Sequence, residues 1–170
     1  MLARSRDPHS WVPPAKGGKM RESRRRKVLR AAGPLMQPGE RAEIIALAKV
    51  GTVPVKKNVA SFAVSVAVNA ALGGTVFVAF APSETYMLLT DRQLLFFASN
   101  RQTGGPGPHR ASIPREAITP TVLKDGLFVD VRLDINASDK AIRLKFPPLP
   151  PSSRKAGRQL VAALERTHRR

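Results

Sequence analysis

The sequence predicts an α+β domain, a mostly antiparallel sheet followed by a C-terminal helix. Three observations predict it. Leu127, Val129, Val131, Leu133 and Ile135 alternate with Phe128, Asp130, Arg132 and Asp134. That period of two marks a strand with one buried and one wet face. Two apolar runs, Thr85–Leu89 and Gln93–Ala98, flank Thr90-Asp91-Arg92, whose side chains suit a hairpin turn. Last, Pro147-Pro148-Leu149-Pro150-Pro151 forces the chain out of the sheet, and Ala156, Leu160, Val161, Ala163 and Leu164 then recur at helical spacing. A length of 170 residues suits one domain plus tails.

Residues 1–38 read as a disordered basic arm, broken by Pro8, Pro13, Pro14, Pro34 and Pro38, with room only for a short helix around Arg24–Ala32. Arg24-Arg25-Arg26-Lys27 is no twin-arginine export signal, because Arg30 interrupts the apolar stretch that would have to follow. Residues 39–168 form the predicted domain. Ile44–Val50 suits helix or strand equally, since so short a run has no decisive period. Gly51 and Pro54 end it.

Residues 58–83 contain no charge. Gly73-Gly74 splits the run, and the β-branched and aromatic stretch Thr75–Phe80 after it favours a strand. An apolar helix is predicted over 58–72, inserted between strands and presenting Val59, Phe62, Val66 and Leu72 to a membrane or a partner. Three fates stay open for it: packing within the domain or against a second subunit, lying in a membrane interface, or crossing a bilayer. About fourteen residues is short for crossing, which takes about 20.

Farther along, Asn100–Pro108 reads as a flexible glycine-rich loop. No Lys-Ser/Thr follows its glycines, so they make no phosphate-binding P-loop. Strands are predicted at His109–Ile113 and Ala117–Leu123, separated by Pro114, and the last strand carries Ile142, Leu144 and Phe146. The C-terminal helix spans 152–168, capped by Ser152 or Ser153.

The net charge of +17 is unevenly spread: +8 in residues 1–30, +5 in 153–170 and only +4 between them. Basic tails attract any polyanion. Arg24, Arg25, Arg26, Lys27, Lys56 and Lys57 are the candidate contacts to anionic lipid or another polyanion. With one Trp, one Tyr and seven Phe, mostly at core-like positions, aromatic stacking on nucleic-acid bases is poorly supplied. No specific nucleic-acid partner is expected.

No catalytic constellation is present. His9, His109 and His168 have no carboxylate at ligand spacing, and there is no cysteine. Asp130 and Asp134 read as solvated residues of the wet strand face. The expectation is a non-enzyme with no metal and no cofactor. The lack of cysteine fits a reducing, cytoplasmic compartment.

Leu89-Thr90-Asp91-Arg92-Gln93-Leu94-Leu95 resembles the signature hairpin of the bacterial pleckstrin-homology-like (PH-like), GRAM-related domains of small actinobacterial proteins, with Gln93 where Arg is commoner. Pro38-Gly39-Glu40 and Ile113-Pro114-Arg115-Glu116 fit the same pattern, and the resemblance covers residues 36–168. It implies a strongly bent antiparallel sheet, a partly open barrel capped by the C-terminal helix. It brings no ligand, because one fold hosts many functions. Asp91 and Arg92 read as turn residues. The leading expectation is a non-catalytic binding module acting peripherally at the cytoplasmic membrane face, with an anionic membrane surface or a protein as partner. The alternatives are a soluble self-associating module, that is a homo-oligomer, and a single-pass membrane-anchored protein.

Overall fold

A computed structural model describes residue 20 and residues 22–54, 82–100, 102–136, 138, 140–149 and 151–169. Helix α1 (Glu22–Ala32) runs into a single 3-10 turn, Gly33–Leu35. Among the described residues seven strands follow: β1 (Ala42–Pro54), β2 (Ser83–Thr90), β3 (Gln93–Asn100), β4 (Gly105–Pro114), β5 (Ile118–Asp125), β6 (Val129–Ile135) and β7 (Lys140–Phe146). A second 3-10 turn, Arg115–Ala117, links β4 to β5, and helix α2 (Pro151–His168) comes last.

The strands form one antiparallel sheet in the order β4-β3-β2-β1-β7-β6-β5. Strand β1 joins its halves. Its first part pairs with β2, from Ala42 opposite Thr90 to Val50 opposite Ser83. Its second part pairs with β7, from Lys49 opposite Lys145 to Pro54 opposite Lys140. The ambiguity of Ile44–Val50 is thereby settled as strand, by partners on both sides. The sheet stays open, with β4 and β5 at its edges. Both edges resist further pairing: β4 carries Pro106, Pro108 and two register shifts, and β5 carries Pro120 and a shift between Val122 and Lys124.

One buried cluster draws on all seven strands and α2, including Val50, Met87, Phe96, Ile113, Ile118, Leu133, Phe146 and Leu160. A flat sheet of seven strands would be about 29 Å wide, at about 4.8 Å per strand. One helix, about 10–12 Å across, cannot cover that. The sheet therefore curls around α2, whose Leu160, Val161, Ala163 and Leu164 are buried as their spacing predicts. Gly157 lies against Phe146, so closely that a Cβ there would sit 2.7 Å from the ring.

A second cluster lies on the outer face of β1, β2 and β3. Val28 and Ala32 of α1 pack there with Tyr86, Leu88, Leu95 and Phe97, flanked by Leu29, Leu35, Ile45 and Leu47. Strand β2 is consequently buried on both faces from Thr85 to Thr90.

Four expectations are corrected. Residues 22–38 do not belong to a disordered arm: the short helix expected around Arg24–Ala32 forms as α1, and it and its 3-10 turn are anchored by this apolar contact, so the folded unit begins before residue 39. The glycine-rich loop is shorter than predicted, because β4 begins at Gly105. Asp130 is not solvated; it is 3% exposed under the Arg143 guanidinium, whose Nε lies 2.9 Å from Oδ1. Strand β6 starts at Val129, leaving Leu127 65% exposed. The predicted helix 58–72 and the strand after Gly73-Gly74 lie outside the described residues.

Candidate functional site

Glu40, Thr90, Asp91 and Gln93 around the β2–β3 turn form a structural lock. Thr90 Oγ1 donates to Glu40 Oε1 and accepts from the Gln93 amide at 2.9 Å. Gln93 Nε2 donates to Glu40 Oε2 at 3.1 Å and to the Leu35 carbonyl at 3.0 Å. The Gln37 amide reaches the same Glu40 Oε2 at 2.7 Å. A buried carboxylate with three donors is a stable fixture, because leaving its oxygens unpaired would cost their full desolvation. Asp91 closes the turn: it accepts from the Arg41 amide at 2.9 Å, and its own amide donates to the Arg41 carbonyl at 3.0 Å. These residues thus staple the α1–β1 connection to the hairpin.

Arg115, 7% exposed, extends the lock to α2. Its Nη2 donates to the Ala163 carbonyl at 2.7 Å, its Nε to Thr167 Oγ1 at 2.6 Å, and its Nη1 to the Thr90 carbonyl at 3.0 Å. Glu43 pairs with the same Nη1 at 3.0 Å. A guanidinium whose three nitrogens all meet carbonyls, a hydroxyl or a carboxylate is committed to holding elements together. Sequence reading missed Arg115 as the hub; its only signal was membership of the Ile113-Pro114-Arg115-Glu116 segment.

The candidate site lies on α1. Burying Val28 and Ala32 points Arg24, Arg26, Lys27 and Arg30 outward, and Arg25 is half-buried. Arg24 and Lys27 lie over the turn between β3 and β4. A Cβ on Gly104, which has φ +60°, would stand 3.4 Å from the Arg24 guanidinium, and one on Gly105 3.2 Å from Lys27 Cδ. Glycines at these positions let the cations settle onto backbone. Lys27, Arg30, Ala31, Thr103, Gly105 and Pro106 line an open cleft of about 370 Å³. Among the described residues no carboxylate is within ion-pair distance of Arg24, Lys27 or Arg30.

Beneath this cleft Tyr86 donates from its hydroxyl to the Gly104 carbonyl at 2.8 Å and so fixes the turn from inside. Burial raises the Tyr86 phenol above its ordinary pKa of 10.0; Arg24 pulls it down and Glu84 pushes it up, both less strongly.

Of the predicted contact residues, Arg24, Arg25, Arg26 and Lys27 thus lie together on one helix. Lys56, Lys57, Val59, Phe62, Val66 and Leu72 lie outside the described residues. Arg30 and Thr103 were not predicted; Thr103 joins the cleft only through tertiary folding. Among the described residues no three His, Asp or Glu side chains are grouped to hold a metal ion, and no helix is long and apolar enough to cross a membrane. No protein-family model matches the chain, and no curated protein matches it either.

Proposed function

We propose that the protein is a non-catalytic binding module of the PH-like type that docks on anionic membrane surfaces. Support for the fold type comes from the strand order, with β1 shared between two halves of a curled sheet, from the helix that follows the last strand, and from the signature residues at the β2–β3 turn. The observation that carries the function is the placement of Arg24, Lys27 and Arg30. Three cations converge beside a glycine turn, and among the described residues no acid neutralises them. A phosphate-bearing surface satisfies such a group, each cation near an anionic leaflet contributing about 1 kcal/mol. The cluster offers positive charge in an open cleft, which suits adsorption to an anionic surface.

Co-sedimentation with vesicles of phosphatidylcholine and phosphatidylglycerol tests this. Binding is expected at low salt and declines as salt screens the contact. Replacing Arg24, Lys27 and Arg30 together by Ala is expected to weaken it about a hundredfold, three charges at about 1 kcal/mol each. All three side chains are exposed, so the melting temperature should hold. A wild-type chain that ignores anionic vesicles at low ionic strength overturns the proposal.

A further inference from the structure

Every large apolar side chain that stands exposed among the described residues lies toward one end of the sheet. Val122 and Leu123 are 47% and 49% exposed, Leu127 65% and Leu149 75%. The register explains the grouping. Val129 pairs with Phe146, so Leu127, two residues before Val129, and Leu149, three residues after Phe146, leave the sheet at the same place. Leu127 sits at the tip of the β5–β6 hairpin, and Leu149 in the link to α2.

Cations lie close to Leu127. Arg154 of α2 donates from Nη1 to the Gly126 carbonyl at 3.4 Å, beside Leu127. Lys145 Nζ stands 5.0 Å from the centre of the Phe128 ring. Lys124 lies on the hairpin opposite Asp130, and Lys155 is exposed on α2. The nearby acids are already taken: Asp125 pairs with Arg158 at 2.8 Å and Asp130 with Arg143.

We propose that this end inserts Leu127 and Leu149 into the interface of an anionic bilayer, with Lys124, Lys145, Arg154 and Lys155 held at headgroup level. The proposal rests on the membrane reading above and adds a second, apolar contact, separate from α1. Exposed leucines with long basic side chains nearby match a lipid boundary: the leucines leave water, and the cations keep theirs while reaching phosphate. A second copy of the chain fits worse, because a two-fold contact would set like charges against each other.

The test uses the full chain and the same vesicles. Leu127→Ser with Leu149→Ser is expected to weaken binding by at least about tenfold, since the leucines supply the apolar part of the affinity. Its melting temperature should match the wild type, because both side chains are exposed. Leu127→Trp, in a chain whose single native tryptophan is removed by Trp11→Phe, should shift its emission to the blue on vesicles and be quenched by brominated lipid. Wild-type binding with an unaffected Ser/Ser variant and an unshifted emission from the introduced indole overturns this proposal and leaves the α1 site standing. A wild-type dimer that the Ser/Ser variant splits, with vesicle binding unchanged, also overturns it. Failure of the wild type to bind anionic vesicles defeats the membrane reading itself.

Discussion

Gly157 shows how one missing methyl group positions a helix. An exposed-helix Gly→Ala change ordinarily stabilises by about 1 kcal/mol. Here the added Cβ would meet Phe146 Cδ2 at 2.7 Å, with two further ring carbons at 3.0 Å. Phe146 is fully buried in the core and has little room to yield. Overpacking of this kind costs about 1–3 kcal/mol. Gly157→Ala is therefore expected to lower stability, with a reduced midpoint in urea unfolding; a raised midpoint would mean the ring can move. Tyr86 offers a second residue-level test, as the one tyrosine of the chain. Its folded pKa is raised, first by burial. An unfolded phenol ionises at its ordinary value near 10, so the unfolded state loses its proton first. The contribution to stability is complete below that pH and declines as pH rises toward the folded value. Phenolate absorbance should appear later on alkaline titration than in the urea-unfolded chain. Arg24→Ala should delay it further, because Arg24 opposes the shift.

At the scale of elements, the docking of α1 on the sheet is what the sequence disguised. Its composition is that of a basic tail, with Arg24-Arg25-Arg26-Lys27 and Arg30 outnumbering its apolar residues. The clue was in the strands it covers. Tyr86–Leu89 and Leu94–Phe97 are continuous apolar runs, whereas β6 and β7 alternate. A continuous run needs cover on both faces. The interior and α2 cover one face, and α1 covers the other through Val28 and Ala32. Removing residues 1–32 is expected to uncover Tyr86, Leu88, Leu95 and Phe97. The truncated chain should bind a hydrophobic dye and aggregate, while Val28→Ala in the full chain gives only a moderate loss of stability. A truncated chain that stays monomeric and melts like the wild type would show α1 to be dispensable.

For the whole molecule, the division between what local pattern determined and what tertiary contact decided is physical. The β2–β3 hairpin, the alternation of β6 and β7 and the stripe of α2 were legible, because each is a local matter of side-chain period and turn chemistry. The open seven-stranded order was not, nor was the shared role of β1. Ile44–Val50 has no decisive period, and only hydrogen bonds to β2 on one side and β7 on the other make it a strand. Charge behaved in the same way. Asp130 looked wet, because alternation assigns a face and not its neighbours; Arg143, from another strand, buries it. The sequence by itself determined the β2–β3 hairpin, strands β6 and β7 and helix α2, and that the chain carries a large excess of cations. Only the tertiary structure decided that a basic helix belongs to the folded unit, that its cations meet a glycine turn more than seventy residues away, and that Leu127 and Leu149 emerge together. Those pairings depend on strand register and helix docking, where the free energy of contact between distant segments outweighs local preference.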